Sequence, residues 1–198
     1  HHRAVSDARA TGDIFLKLMA SCKDKDINKL KDINIMTKEI DWRQQSLHHV
    51  VLLAKNKQGL KQIYKLVSNS HLDHFYRKPR ILTSEILQNR SNLIIGSACE
   101  AGQLFKSILN NKSRQEIEDI VNFYDYLEIQ PLDNNKFLIP DRVESRDELK
   151  QINKKIYKLG KEFNKPVVAT CDVHFLNPED EIYRRILQSG QGFDDADN

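Results

Sequence analysis

Cys171-Asp172-Val173-His174 sets three side chains able to ligate a metal within four residues. The residues before them, Val167-Val168-Ala169-Thr170, are apolar or small without alternation, the pattern of a strand buried on both faces of a parallel sheet. Asn177-Pro178-Glu179-Asp180 then restarts the chain as a helix, with Pro in the first turn and acids near the positive end of the dipole. A buried strand that delivers Asp and His at its carboxyl end, just before a helix, is where α/β barrels hold their chemistry. Asp172 and His174 lie two apart, so in extended chain both point the same way and can share one ion. The plainer alternative is a turn aspartate beside a packed histidine, and a lone D-x-H does not decide between them.

A second pair of this kind opens the chain. Ser6 reads as an N-cap, Asp7 as a first-turn acid, and Ile14, Phe15, Leu18 and Met19 as the apolar stripe of a helix. His2 and Asp7 are five apart, and five steps of about 100° would leave them about 140° apart on one helix. His2 is therefore expected in the loop before it. There an imidazole suits a general base acting on water held by a metal on Asp7, against the alternative of a helix with surface His and Asp.

Between these ends the chain alternates strand and helix. Cys22 to Ser46 is polar and reads as a connector in which Ile27, Leu30, Ile33 and Ile35 pin a short element and Trp42 anchors. His48 to Ala54 is a second buried-strand run, turned by Asn56 to Gly59 into an amphipathic helix carrying Leu60, Ile63, Tyr64, Leu66 and Val67. His71 to Arg80 interleaves aromatic and basic residues, a mixture that can clamp a nucleic-acid strand or simply pack with its charges in solvent. Thr83 begins another helix. Leu93-Ile94-Ile95-Gly96 is a strand followed by Cys99, in the position that Asp172 holds relative to its own strand. Ser113 and Glu116 cap a helix reaching Tyr124, Tyr126 to Pro131 is a strand, and Glu144 to Asn164 is a long helix with a lysine-rich solvent face. This order predicts right-handed crossovers and parallel pairing, and four such strands are half a barrel.

The 198 residues, 39% hydrophobic and 30% charged with a net charge of +3, describe a charged globular chain whose charge alone does not establish a nucleic-acid partner. No apolar run reaches the roughly 20 residues of a membrane span. Three widely spaced cysteines argue for a reducing, cytoplasmic setting. The ends read as those of an excised fragment.

HHVVLLAKNKQGLKQIYKLVS, FYRKPRI, IIGSACEAG, YDYLEIQPL and ATCDVHFLNPEDEIYRRIL together resemble the second half of the polymerase-and-histidinol-phosphatase (PHP) domain, over about residues 46–198. The form most similar is that of the bacterial replicative polymerases of PolC type, DNA polymerase III alpha. H-x-A-x-x-D-A-x-A-T resembles the last motif of the DEDD-type 3′–5′ proofreading exonucleases with a catalytic His. In the PolC-type family the exonuclease is inserted within the PHP domain, which would explain the junction.

The resemblance implies an α/β fold, part of a PHP-type (β/α) barrel with parallel strands, preceded by the terminal helix of an exonuclease. Residues 1–20 would be that helix, 21–46 a linker and 47–198 the PHP half. It implies His2 as catalytic base and Asp7 as ligand of Mg or Mn. It implies His49, Cys99, Asp172 and His174 as members of a Zn or Mn cluster. The parent would synthesise DNA from dNTPs with proofreading, with DNA and replisome subunits such as the sliding clamp as partners and no membrane. The piece alone would be inactive. The alternative is a stand-alone PHP metal-dependent phosphoesterase.

Overall fold

The computed structural model describes residues 4–23 and 41–192. They belong to two units, residues 1–46 and 47–198, each described here by itself. His2, Ile27, Leu30, Ile33 and Ile35 lie outside the described residues.

In the first unit, helix α1 runs Ala4–Lys23. It begins before Ser6, so the expected N-cap is instead a residue of the helix; Ala4 and Val5 carry nothing that stops a helix. The Thr11 hydroxyl donates back to the Asp7 carbonyl at 2.8 Å. The stripe of Ile14, Phe15, Leu18 and Met19 is exposed. Trp42 opens a short 3-10 turn, Trp42–Gln44, and carries the Arg43 guanidinium 4.5 Å from its ring centroid.

The second unit begins with β1, Val51–Ala54, followed by α2, Lys57–Leu72. A two-strand hairpin follows, β2 at Phe75–Tyr76 and β3 at Lys78–Pro79, and then α3 at Thr83–Gln88. Strand β4, Leu93–Gly96, pairs with β1 in antiparallel register, Val51 opposite Gly96 and Ala54 opposite Leu93. This corrects the expectation of uniformly parallel pairing. The cause is local. The chain returns through the 3-10 turn Arg90–Asn92 to the very end at which β1 stopped, where the Lys55 N–H donates to the Asn92 carbonyl at 3.0 Å. Gly59 permits that return, since a Cβ there would stand 2.2 Å from the Asn92 carbonyl oxygen.

Beyond β4 come α4, Gln103–Leu109, and α5, Arg114–Phe123, whose Ser113–Glu116 capping box forms as expected. Strand β5, Leu127–Ile129, follows, then the 3-10 segment Leu132–Leu138 and the long helix α6, Arg146–Glu162. Strand β6, Val167–Ala169, pairs parallel with β5, Leu127 opposite Val167. A parallel bridge between Gly96 and Tyr126 joins β4 to β5. The order β1-β4-β5-β6 therefore has three parallel strands and one reversed. Among the described residues these strands do not close into a barrel; the observed architecture is mixed α/β with small sheets.

The core lies where α4, α5 and α6 cover β4 and β5. Ile95, Leu104, Val121, Leu127 and Ile156 are all buried there, each contributing about 1.5–3 kcal/mol of transfer free energy. Along α6, Leu149, Ile152, Ile156 and Leu159 form the buried stripe, and its lysines face outward. Strand β6 is less enclosed than its sequence implies: Val168 is 37% exposed, because β6 has a neighbour on one side only among the described residues. The last helix, α7, Glu181–Gly190, follows the turn Pro178–Asp180 and buries none of its residues.

Candidate functional site

The reversal of β1 decides where His49 stands. His49 precedes its strand in sequence, which in a parallel arrangement would place it at the opposite rim from Cys99. Because β1 runs against β4, the start of β1 lies beside the end of β4. The His49 N–H donates to the Ala101 carbonyl at 3.1 Å, and the residue bridges to Gly102. The imidazole Nδ1 then comes to 3.3 Å from the Cys99 Sγ. A Cβ on Gly102 would sit 2.1 Å from the Ser97 carbonyl oxygen, so only glycine lets the loop fold this tightly.

Burial pushes the Cys99 thiol up to about 11, and the carboxylates of Glu100 and Asp172 push the same way against a lowering hydrogen bond from the Ala101 backbone. Asp172 is thus near enough for its charge to be felt at the sulfur. Both residues stand three positions past strands that run in the same direction, β4 ending at Gly96 and β6 at Ala169. They occupy one rim.

The Asp172–His174 pair takes a different geometry from the one expected. Asp172 lies in the left-handed region at φ 48°, not in extended chain, so the two side chains do not project together. The His174 Nδ1 instead faces the carbonyl of Asp172 at 2.5 Å. The loop is tied down by Asn134, whose side-chain amide donates to the Cys171 carbonyl at 2.6 Å. Asp172 and His174 line a cleft of about 670 Å³ whose other walls include Lys136, Arg184 and Arg185.

Glu128 and Gln130 were not singled out by their sequence context, yet both are buried here. The Glu128 N–H donates to the Ser97 hydroxyl at 2.9 Å, and its carboxylate accepts from the Thr170 hydroxyl at 2.9 Å. Burial, then the Glu128 carboxylate, raise the Tyr126 phenol above its ordinary value. The available signal was the alternation Leu127, Glu128, Ile129, Gln130, which puts two polar side chains on one face of a strand that otherwise belongs to the core.

A thiol, a carboxylate and two imidazoles are a donor set suited in kind to zinc. Two of the four, His49 and Cys99, are in contact. Among the described residues no three His, Cys, Asp or Glu side chains converge as closely as an ion requires, so only the His49–Cys99 half of the set is assembled. Asp7 is exposed on α1, in the other unit.

The PHP domain model matches residues 13–131, a range that includes His49 and Cys99. The chain belongs to the PHP domain family. More particularly, it is similar along its whole length to "DNA polymerase III PolC-type" of Clostridium perfringens, with 53% identity over 201 residues, covering 100% of this chain and 14% of that protein. The PolC-type DNA polymerase III of Caldanaerobacter subterraneus subsp. tengcongensis is 50% identical over 200 residues, 100% of this chain and 14% of that protein. That of Bacillus subtilis is 45% identical over 194 residues, 97% and 13%. The chain therefore spans about 14% of the length of the first of these curated relatives. No described helix is long and apolar enough to cross a membrane.

Proposed function

We propose that this chain is a segment of a cytoplasmic PolC-type DNA polymerase III, which synthesises DNA from dNTPs with 3′–5′ proofreading. Residues 47–198 supply a metal-binding PHP scaffold in which His49, Cys99, Asp172 and His174 hold zinc or manganese. Residues 1–20 supply the last exonuclease motif, with His2 as general base and Asp7 as a ligand of Mg or Mn, and 21–46 link the two. DNA is the substrate of the parent, and replisome subunits such as the sliding clamp are its partners. The observation that carries this reading is the end-to-end likeness to PolC-type relatives at 53% identity.

For the PHP half the metal's contribution would be stability, since an ion bound by the folded state alone adds its binding free energy to folding. The Cys99 thiol keeps its proton at neutral pH, so binding must release it. His49 is held by a main-chain hydrogen bond to the loop that carries Cys99, which sets the first two donors side by side before an ion arrives.

Elemental analysis of the purified 198-residue chain tests the scaffold. We expect stoichiometric zinc or manganese that is lost in Cys99→Ser and reduced in Asp172→Ala, with circular dichroism unchanged. Metal content unchanged from the parent in both variants, or none in the parent sequence, would refute the metal assignment. The isolated chain is expected to show no polymerase or nuclease activity.

A further inference from the structure

Lys57, Lys61 and Lys65 recur every four residues along α2 and so form one line on its surface. Next to that line run Leu60, Tyr64, Val67 and His71, all exposed, whereas the opposite side of the helix carries the buried Gly59, Leu66 and Ser70. The helix ends against the hairpin β2–β3, which extends the same kind of surface. The His71 ring stacks on Phe75 with centroids 6.3 Å apart. The guanidiniums of Arg77 and Arg80 each lie 5.4 Å from the Tyr76 ring centroid. Tyr64 is 63% exposed, Phe75 55% and Tyr76 37%.

Two features together are informative. Rings this exposed leave apolar faces in water, and five cations beside them (Lys57, Lys61, Lys65, Arg77 and Lys78) form no ion pair among the described residues. The nearby carboxylate of Glu85 is already engaged by Asn69, the Leu82 N–H and His74. A duplex would use the cations but not the rings, because its bases are stacked on one another. Unstacked bases use both.

We propose that this face, α2 together with the β2–β3 hairpin, binds a single nucleic-acid strand; that the strand is DNA rests on the polymerase reading above. Bases stack on Tyr64, Phe75 and Tyr76, and the lysine line and Arg77 meet the phosphates. From Tyr64 to His71 the helix rises about 10 Å over seven steps. The site is remote in sequence from Asp172 and His174 and needs no metal.

Fluorescence anisotropy with a labelled twenty-residue thymidine oligonucleotide and the 198-residue chain, over a salt series, tests the proposal. Tyr64→Ser and Phe75→Ser should each weaken binding about tenfold. Lys61→Gln and Lys65→Gln should each lower the slope of log affinity against log salt by about 0.7. Tyr64 is a surface residue of a long helix, so its variant should keep the circular dichroism spectrum and melting temperature of the parent. No binding at low salt, or a duplex of the same length held as tightly and equally well by Tyr64→Ser, would overturn the assignment. Tighter binding of the matching uridine oligonucleotide would overturn the choice of DNA.

Discussion

The loop after β4 and the loop after β6 begin alike. Each leaves a strand of the same direction, each places a metal-type side chain three residues on, and each turns through a left-handed residue, Ala98 in one and Asp172 in the other. They end differently. Behind Cys99 stand Leu93 and Ile95, with 0% of their surface exposed, and the loop is closed by the Gly102 N–H donating to the Cys99 carbonyl at 2.9 Å. Behind Asp172 stands a strand with one neighbour, and beyond it Val173 is 75% exposed and Leu176 90%. Only the loop backed by a filled core brings its donor into contact with another. The lesson is that a ligand residue is positioned by what lies underneath its strand, not by its distance from the strand end.

The contrast can be broken most forcefully from below. Ile95→Ala removes buried methyl groups under the Cys99 loop and should cost about 2–5 kcal/mol in a urea titration. A cost under about 1 kcal/mol would mean that the core does not support this loop as described. Gly102→Ala should cost about 1–3 kcal/mol, because its new methyl group meets the Ser97 carbonyl. It should also speed alkylation of Cys99 by iodoacetamide, as the loop opens and the thiol becomes exposed. Unchanged thiol reactivity in a destabilised variant would detach the loop from the glycine. The smallest effect is expected on the other side of the comparison. Ile186→Ala on the uncovered helix α7 should change stability by no more than about 0.5 kcal/mol; a loss near that of Ile95→Ala would show the two regions to be equally supported.

Much of this was legible in the letters. The helix start at Ser113, the strands around Leu93 and Val167, and the lysine face of α6 follow from capping chemistry and periodicity, which are local; the long helix itself starts after Ser145 and not at Glu144. The direction of β1 is not local. It depends on where the chain returns after nearly forty residues, and the deciding contact, Lys55 with Asn92, has no signature in either neighbourhood. The same holds for β6: an apolar run reports that a strand avoids water, not how many neighbours it finds. Extended geometry at Asp172 and His174 failed because the strand stops at Ala169 and the backbone reverses hand at Asp172, a choice that Asp tolerates better than most residues. The Ser6 cap failed for the opposite reason, since nothing upstream obliged the helix to start there.

The closeness of Lys55 to Asn92 reaches beyond strand direction. Everything from α2 through the hairpin to α3 leaves and re-enters the sheet through one doorway. The segment is nonetheless stitched to what lies beneath it, since Gly59 abuts Asn92 and Ile86 of α3 is part of the core. A change of length is therefore best absorbed at its exposed tip, the hairpin, where closing a slightly longer loop costs little.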